Sequence, residues 1–304
     1  METRQRPEDP RCKSGRRDFH FSIINRHYAA FQKSNSPKEL VNMNANNAQS
    51  ERSFQEIESI FNKRIELTSS THQEEILLVK ELLTRSFYYI DLIHQKLAET
   101  SIATDKKINI QQALPNLYFQ RNVHYLYGMF ELCTRGLTNQ AIALARVVFE
   151  TILETYACLL DAECADLIFK RETDTLSEED IKKLKKLDYL GPKIIRNRLF
   201  TDEKRKNTEK FYKQLSKISH PGIEGLSSEV DFNANDTQDK LRAILTLGTS
   251  NIIVVSEAYY SAIPQDEMKK TDILLNRVFK SLQFIPTLVP DKPDLLTKLK
   301  IKLV

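Results

Sequence analysis

Between Thr138 and Leu160 the chain is apolar almost without interruption, and its only charged residues there are Arg146, Glu150 and Glu154. They stand four apart, so on a helix they form one stripe and leave the other faces greasy. A helix that is apolar nearly all round belongs inside its domain. Burying an Arg and two Glu is costly unless each finds a partner. The stripe therefore marks either ordinary ion pairs against solvent or a neighbouring helix, or a charged cluster on the floor of a pocket.

The rest of the sequence agrees with a helical frame. Only 7 of the 304 residues are Gly and none is Trp, which disfavours glycine-rich phosphate loops and turn-dense β architecture. Helical spacing places Phe54, Ile57, Ile60, Phe61 and Ile65 on one face of 51–67. After a Thr/Ser break, 73–98 repeats the pattern with Ile76, Leu77, Val79, Leu82, Leu83, Phe87, Ile90, Ile93 and Leu97. A loop is expected over 101–113, then a helix with Pro115 in its first turn and Gly136 as its stop. Thr138 or Asn139 should cap the helix with the stripe, which runs to Asp161 or on through Phe169. Ser177-Glu-Glu-Asp opens a short basic helix, and helices follow at 193–200 and 202–219. His220-Pro221-Gly222 ends the latter, and 221–236 reads as an irregular loop. Asp236 or Thr237 should cap a helix to Ile263, and a last one spans 265–282. Phe19–Ile24 and Ile301–Val304 are weak strand candidates. The expectation is all-α: an elaborated antiparallel helix bundle with a disordered basic N-terminal arm. In domain terms, 1–50 is arm and linker, 51–284 the bundle and 285–304 an appendage.

The net charge of +4 sits entirely in residues 1–50, with nine Lys/Arg against five Asp/Glu; the remainder holds 36 of each. Any pull on RNA therefore comes from the arm. The four Cys (Cys12, Cys133, Cys158 and Cys164) form no Cys-x-x-Cys pair. Zinc is not expected, and Cys133 and Cys158 read as reduced core thiols in a cytoplasmic protein. No run of 18 uncharged apolar residues suggests a membrane span. Walker, Rossmann, His-Glu-x-x-His and EF-hand patterns are missing, so no metal or cofactor is expected.

Further polar groups accompany the stripe. Tyr212, Ser216 and His220 are four apart and share a face, with His220 at a helix end that favours its cationic form. If the two helices pack together, His220 would pair with Glu150 or Glu154. Arg146, Glu150, Glu154 and His220 are then the candidate catalytic set, with Tyr212 and Ser216 as binding groups; the same set also serves as a structural network. Arg121 and His124, among Tyr118, Tyr125 and Tyr127, make a second binding candidate or simply an aromatic core with a polar surface. The block Lys182, Lys183, Lys185 and Lys186, continuing to Lys193, Arg196 and Arg198, reads as a solvated helix or a phosphate-backbone contact.

The string Ala145-Arg-Val-Val-Phe-Glu150-Thr-Ile-Leu-Glu154, followed by Tyr212-Lys-Gln-Leu-Ser216-Lys-Ile-Ser-His220-Pro, resembles an uncharacterised family of bacterial and archaeal helical domains over about 115–262. That resemblance implies a helical fold and a candidate site but no reaction. A fainter similarity runs to HEPN domains, helical bundles of toxin–antitoxin and antiviral systems, some of which cleave RNA. Those nucleases carry an Arg, four to six residues, then a His on one helix; Arg121–His124 is too close and Arg85–His94 too far. The leading expectation is an interaction or regulatory module whose Arg/Glu/His cluster binds a small ligand, with a protein partner or a second copy, for instance as a homodimer. The alternative is a HEPN-like metal-independent ribonuclease or toxin-type hydrolase of a defence system, holding RNA through the basic arm.

Overall fold

A computed structural model of the chain describes residues 55–104, 109–187, 192–219, 234–282 and 288–291. The chain divides into two compact units, 1–60 and 61–304. In the first, 55–60 are described and helical, with Ile57 and Ile60 exposed. The second is an all-α bundle, with no strand among its described residues. The strand candidates, the N-terminal arm, Cys12 and His220 lie outside the described residues.

In the second unit 61–71 are helical. The Thr/Ser run that read as a break is therefore helix: the Ser70 and Thr71 hydroxyls donate back to the Leu67 carbonyl at 2.9 and 2.8 Å, sparing them from competing with the backbone ladder. Beyond His72 comes α1, Gln73–Thr104, longer than its apolar pattern indicated. Its stripe is buried as expected except at Leu77, which is half exposed, and Phe87, which is partly buried, while Leu78 and Tyr89 join the core.

Helix α2, Ile110–Thr134, starts inside the expected loop because the Asn109 side chain accepts from the Gln111 amide at 2.9 Å and caps it. Pro115 consequently sits within the helix and not in its first turn. Gly136 does end α2, at φ 76°, where a Cβ would be strained. A three-residue connection then makes α3, Thr138–Leu160, the antiparallel partner of α2. Leu137 precedes α3 without a side-chain cap, so neither Thr138 nor Asn139 performs that role. Nor does α3 run on through Phe169: Asp161 adopts extended backbone and caps α4, Ala162–Glu172, by accepting from the Glu163 and Cys164 amides. Most of α3 is core, with Phe149, Ile152, Leu153 and Tyr156 fully buried; each such side chain contributes about 1.5–3 kcal/mol by leaving water.

Helix α5, Glu178–Leu187, opens on reciprocal hydrogen bonds between Ser177 and Asp180, and Lys182 and Lys183 are solvated. Helices α6, Pro192–Leu199, and α7, Asp202–Ser219, pack on α3. Helix α8, Ala234–Ala258, packs on α1, α2 and α3. It ends before the expected Ile263 because the chain turns over 259–262. Gly248 lets α8 approach α1 closely; a Cβ there would lie 2.7 Å from Leu82 Cδ2. Between α2 and α8 the buried Asn122 amide donates to Asn251 at 3.0 Å. A 22-residue part of α8, Thr237–Ala258, is long and apolar enough to cross a membrane, but its apolar window is 78% buried inside the protein, as in a core helix. Helix α9, Gln265–Leu282, packs on α1 and α8. Residues 288–291 are docked: Leu288 is buried and its amide donates to Ser250 Oγ at 2.9 Å, while Asp291 accepts from the Thr201 amide at 2.8 Å.

Candidate functional site

Each step of four residues along a helix turns it by about 40° beyond a full circle, so Glu154 faces about 80° away from Arg146. That drift divides the stripe of α3 between two sets of neighbours. All three side chains are partly exposed, so the stripe lies at the edge of the core and not at its centre.

Arg146 and Glu150 meet α7. Arg146 Nε donates to Glu150 Oε1 at 3.0 Å, and the Tyr212 hydroxyl donates to the same oxygen at 2.7 Å. Arg146 Nη2 also donates to the Tyr212 oxygen at 3.4 Å. The hydrogen bond to Glu150 raises the proton affinity of Arg146, against the effect of burial. Burial, then Glu150, raises that of Tyr212. Ser216 Oγ is buried on the same face of α7, close enough to favour the ionised phenol yet making no hydrogen bond. Phe149 packs on the Tyr212 ring with centroids 5.3 Å apart. Arg146, Glu150, Tyr212 and Ser216 thus come together as the spacing suggested; His220, the remaining member, lies outside the described residues.

A fifth residue completes the cluster. Arg196 of α6 is 4% exposed and stacks on the Tyr212 ring, its guanidinium carbon 4.8 Å from the centroid. Arg146 approaches the same ring at 5.7 Å. Arg196 Nη1 is buried without a hydrogen bond, and no carboxylate pairs with Arg196 among the described residues. Glu209 acts on it electrostatically but is itself paired with Lys213 at 2.9 Å. Burial accordingly lowers the pKa of Arg196 from its ordinary value. The basic block is therefore solvated at Lys182 and Lys183 but not at Arg196. One signal pointed there: Leu199 and Phe200, three and four residues on, share its helix face and are buried.

Glu154 turns to α2 and α4. Arg171 Nη2 donates to both of its oxygens at 3.1 Å and to Glu172 Oε1 at 3.0 Å. Arg121 donates to Thr151 Oγ1 at 3.1 Å, pairs with Glu172 Oε2 at 3.6 Å and stacks on Tyr118 at 4.6 Å. Burial raises the pKa of Glu154, with Arg171 pulling the other way. Burial also works against the Arg171 charge, but Glu154, Glu172 and Tyr118 outweigh it and hold its proton more tightly. Arg121 and His124 do not share a site: His124 is exposed and packs edge-on against Phe87, centroids 5.6 Å apart. Reading the sequence missed Arg171 and Glu172, whose partners come from other helices.

Cys133, Cys158 and Cys164 are buried free thiols, and burial pushes Cys133 up to about 12, far from reactive thiolate chemistry. No group of three or more His, Cys, Asp or Glu suits a metal ion among the described residues. The fold and cluster define a helical bundle with a cation-rich polar seam between α3, α6 and α7. No protein-family model, curated protein or solved structure matches the chain.

Proposed function

We propose that this chain is a helical binding or regulatory module and that the α3–α6–α7 cluster takes a small anionic ligand. The observation that carries the reading is Arg196. A guanidinium removed from water and left without a counter-charge costs stability, and an anion offsets that cost. Its planar fork suits the oxygens of a phosphate or carboxylate. Arg146, on the same Tyr212 ring, supplies a second cation, and Arg146 and Glu150 keep 28% and 33% of their side-chain surface open to solvent. Among the described residues, Glu150 is the only carboxylate paired with either guanidinium, and Glu209, which acts on Arg196, is already paired with Lys213, so the cluster is short of negative charge. The resemblance to uncharacterised helical domains fits this reading, as their two motifs include Arg146, Glu150 and Tyr212.

Titrating the full chain with inorganic phosphate and pyrophosphate tests it. Saturable binding with a rise in Tm is expected, lost in Arg196→Met and retained in Lys183→Ala. No binding to the unmodified chain sinks the proposal.

The second reading is the metal-independent ribonuclease. A carboxylate and a phenol beside two guanidiniums favour it, because a phosphoryl centre needs charge stabilisation together with a proton carrier. Incubating the chain with RNA in the presence of a chelator checks it. Cleavage lost in Arg146→Ala, Glu150→Ala and His220→Ala, with Tm preserved, would replace the binding reading by the catalytic one.

A further inference from the structure

We infer that residues 288–291 act as a strap that governs the α3–α6–α7 anion site, by pinning the hinge between the two helices that bring Arg196 and Tyr212 together; the inference rests on the anion-binding reading. Arg196 stands on α6 and Tyr212 on α7, and only Phe200 and Thr201 join those helices. The angle between α6 and α7 sets whether the Arg196 guanidinium lies on the Tyr212 ring. The Phe200 amide closes α6 on the Arg196 carbonyl at 3.1 Å, and the Thr201 carbonyl opens α7 by accepting from the Arg205 amide at 2.8 Å. Between those two bonds, the Thr201 amide takes its acceptor from 90 residues further on: Asp291 Oδ1, at 2.8 Å. A distant carboxylate thus answers an amide at the start of α7, where helix termini leave amides unsatisfied. The Thr201 hydroxyl bonds to the other oxygen of Asp291. One turn into α7, Lys204 donates to the Val289 carbonyl and stands over the Phe200 ring, 5.7 Å from its centroid. Both residues of the hinge are therefore held by the strap or by a side chain that the strap holds.

The other end of the strap is anchored in the core. Leu288 and Pro290 are buried. The Leu288 amide donates to Ser250 Oγ of α8 at 2.9 Å, and Ser250 donates on to the Thr246 carbonyl at 2.8 Å. Since α8 packs on α3, the strap fixes the hinge relative to the helix that supplies Arg146 and Glu150. Charge contributes as well. Burial lowers the pKa of Lys204 and Asp291 opposes that shift. Burial works against the Asp291 charge, but hydrogen bonds from Thr201 outweigh it and hold the carboxyl below its ordinary range. Bonds to an ionised acceptor are stronger than neutral ones. Even so, four residues held by a few bonds open more readily than the helices they cross. Opening removes the acceptor of Thr201, frees the hinge to turn and takes Arg196 off Tyr212. Anion and docked strap favour the same arrangement of α6 and α7, so each tightens the hold of the other.

The test measures phosphate affinity by calorimetry and hydrogen exchange at the Thr201 amide by NMR, both in the full chain. Asp291→Asn and Lys204→Met each loosen the strap without altering Arg146, Arg196 or Tyr212. Both are expected to weaken phosphate binding about fivefold or more, the low end of couplings between distinct sites, with the Thr201 amide exchanging faster in each. Saturating phosphate should in turn slow that exchange in the natural chain, a readout that needs no variant to fold. Val278→Ala leaves a cavity in α9, which packs on α1 and α8. It lowers Tm and should leave phosphate affinity unchanged, which separates coupling from general destabilisation. Phosphate that fails to bind the natural chain sinks the anion reading and the strap together. Phosphate that binds the natural chain and both strap variants equally, or that leaves Thr201 exchange unaltered, overturns the strap alone.

Discussion

The two polar clusters on α3 share a helix and an amino-acid vocabulary, yet they are balanced differently. Between α2, α3 and α4, Arg121 and Arg171 face Glu154 and Glu172, and each guanidinium contacts a carboxylate. Between α3, α6 and α7, Arg146 pairs with Glu150, while Arg196 stacks on an aromatic ring and has no paired carboxylate among the described residues. A charge-matched set ties helices together and leaves no net charge for a ligand to satisfy, although Arg121 Nε there is buried without a hydrogen bond. A set with one cation too many is less favourable by itself and becomes favourable when an anion arrives. Partly buried charge is therefore informative about function only after the charges around it have been counted.

The difference is open to direct attack. The largest effect is expected from Arg171→Ala, which strands a desolvated Glu154. Losing one partner of a fully buried pair costs about 3–5 kcal/mol, and the remaining solvent access of Glu154 brings that to about 2 kcal/mol in urea unfolding. Tyr212→Phe, which removes the hydroxyl between Arg146 and Glu150, should cost about 1 kcal/mol in the same assay.

The matched cluster also has a pH signature. Burial lifts Glu154 above its ordinary 4.5, so the folded chain holds that proton more tightly than the unfolded chain. Its contribution favours folding at low pH and is lost as pH rises from 4.5 through the folded value. The stability of the natural chain relative to Glu154→Gln should thus fall as pH is raised across that window. Glu267 has the opposite sign, because Lys270 and then Arg85 lower its pKa; its contribution is present above 4.5 and is lost on acidification through the folded value.

A smaller quantity is the coupling between Arg146 and Glu150. It should be about 0.3–0.5 kcal/mol in a double-mutant cycle, as for other solvent-accessible i,i+4 pairs. The smallest stability change belongs to Arg196→Met, near zero in urea unfolding, because the lost cation–π contact is offset by removing an uncompensated charge. A cost as large as that of Arg171→Ala would erase the distinction between the clusters.

Much of the helical frame was readable from residue order. Apolar residues at helical spacing located the body of α1, a near-continuous apolar run located α3, and Gly136 marked the end of α2. Helix ends were less legible. Asn109 and Asp161 made caps where the apolar pattern offered no boundary, and hydroxyls bonding back to Leu67 kept a Thr/Ser run helical. Four of the five described residues of the unbalanced cluster were visible too, since Arg146 and Glu150, and Tyr212 and Ser216, repeat at the helical period. Arg196 was hidden among lysines, and only its spacing from Leu199 and Phe200 hinted at burial.

Local order determined which residues share a helix face, because that depends on the turn per residue and little else. It also located the charges on an otherwise apolar α3. Which neighbours those charges met was decided by packing. The precession of the stripe sent Arg146 and Glu150 to α7 and Glu154 to α4, and α6 brought Arg196 onto Tyr212. Pairing energies and desolvation costs arise only when groups distant in sequence are held together out of water, so the balance of charge at each cluster belongs to the tertiary structure.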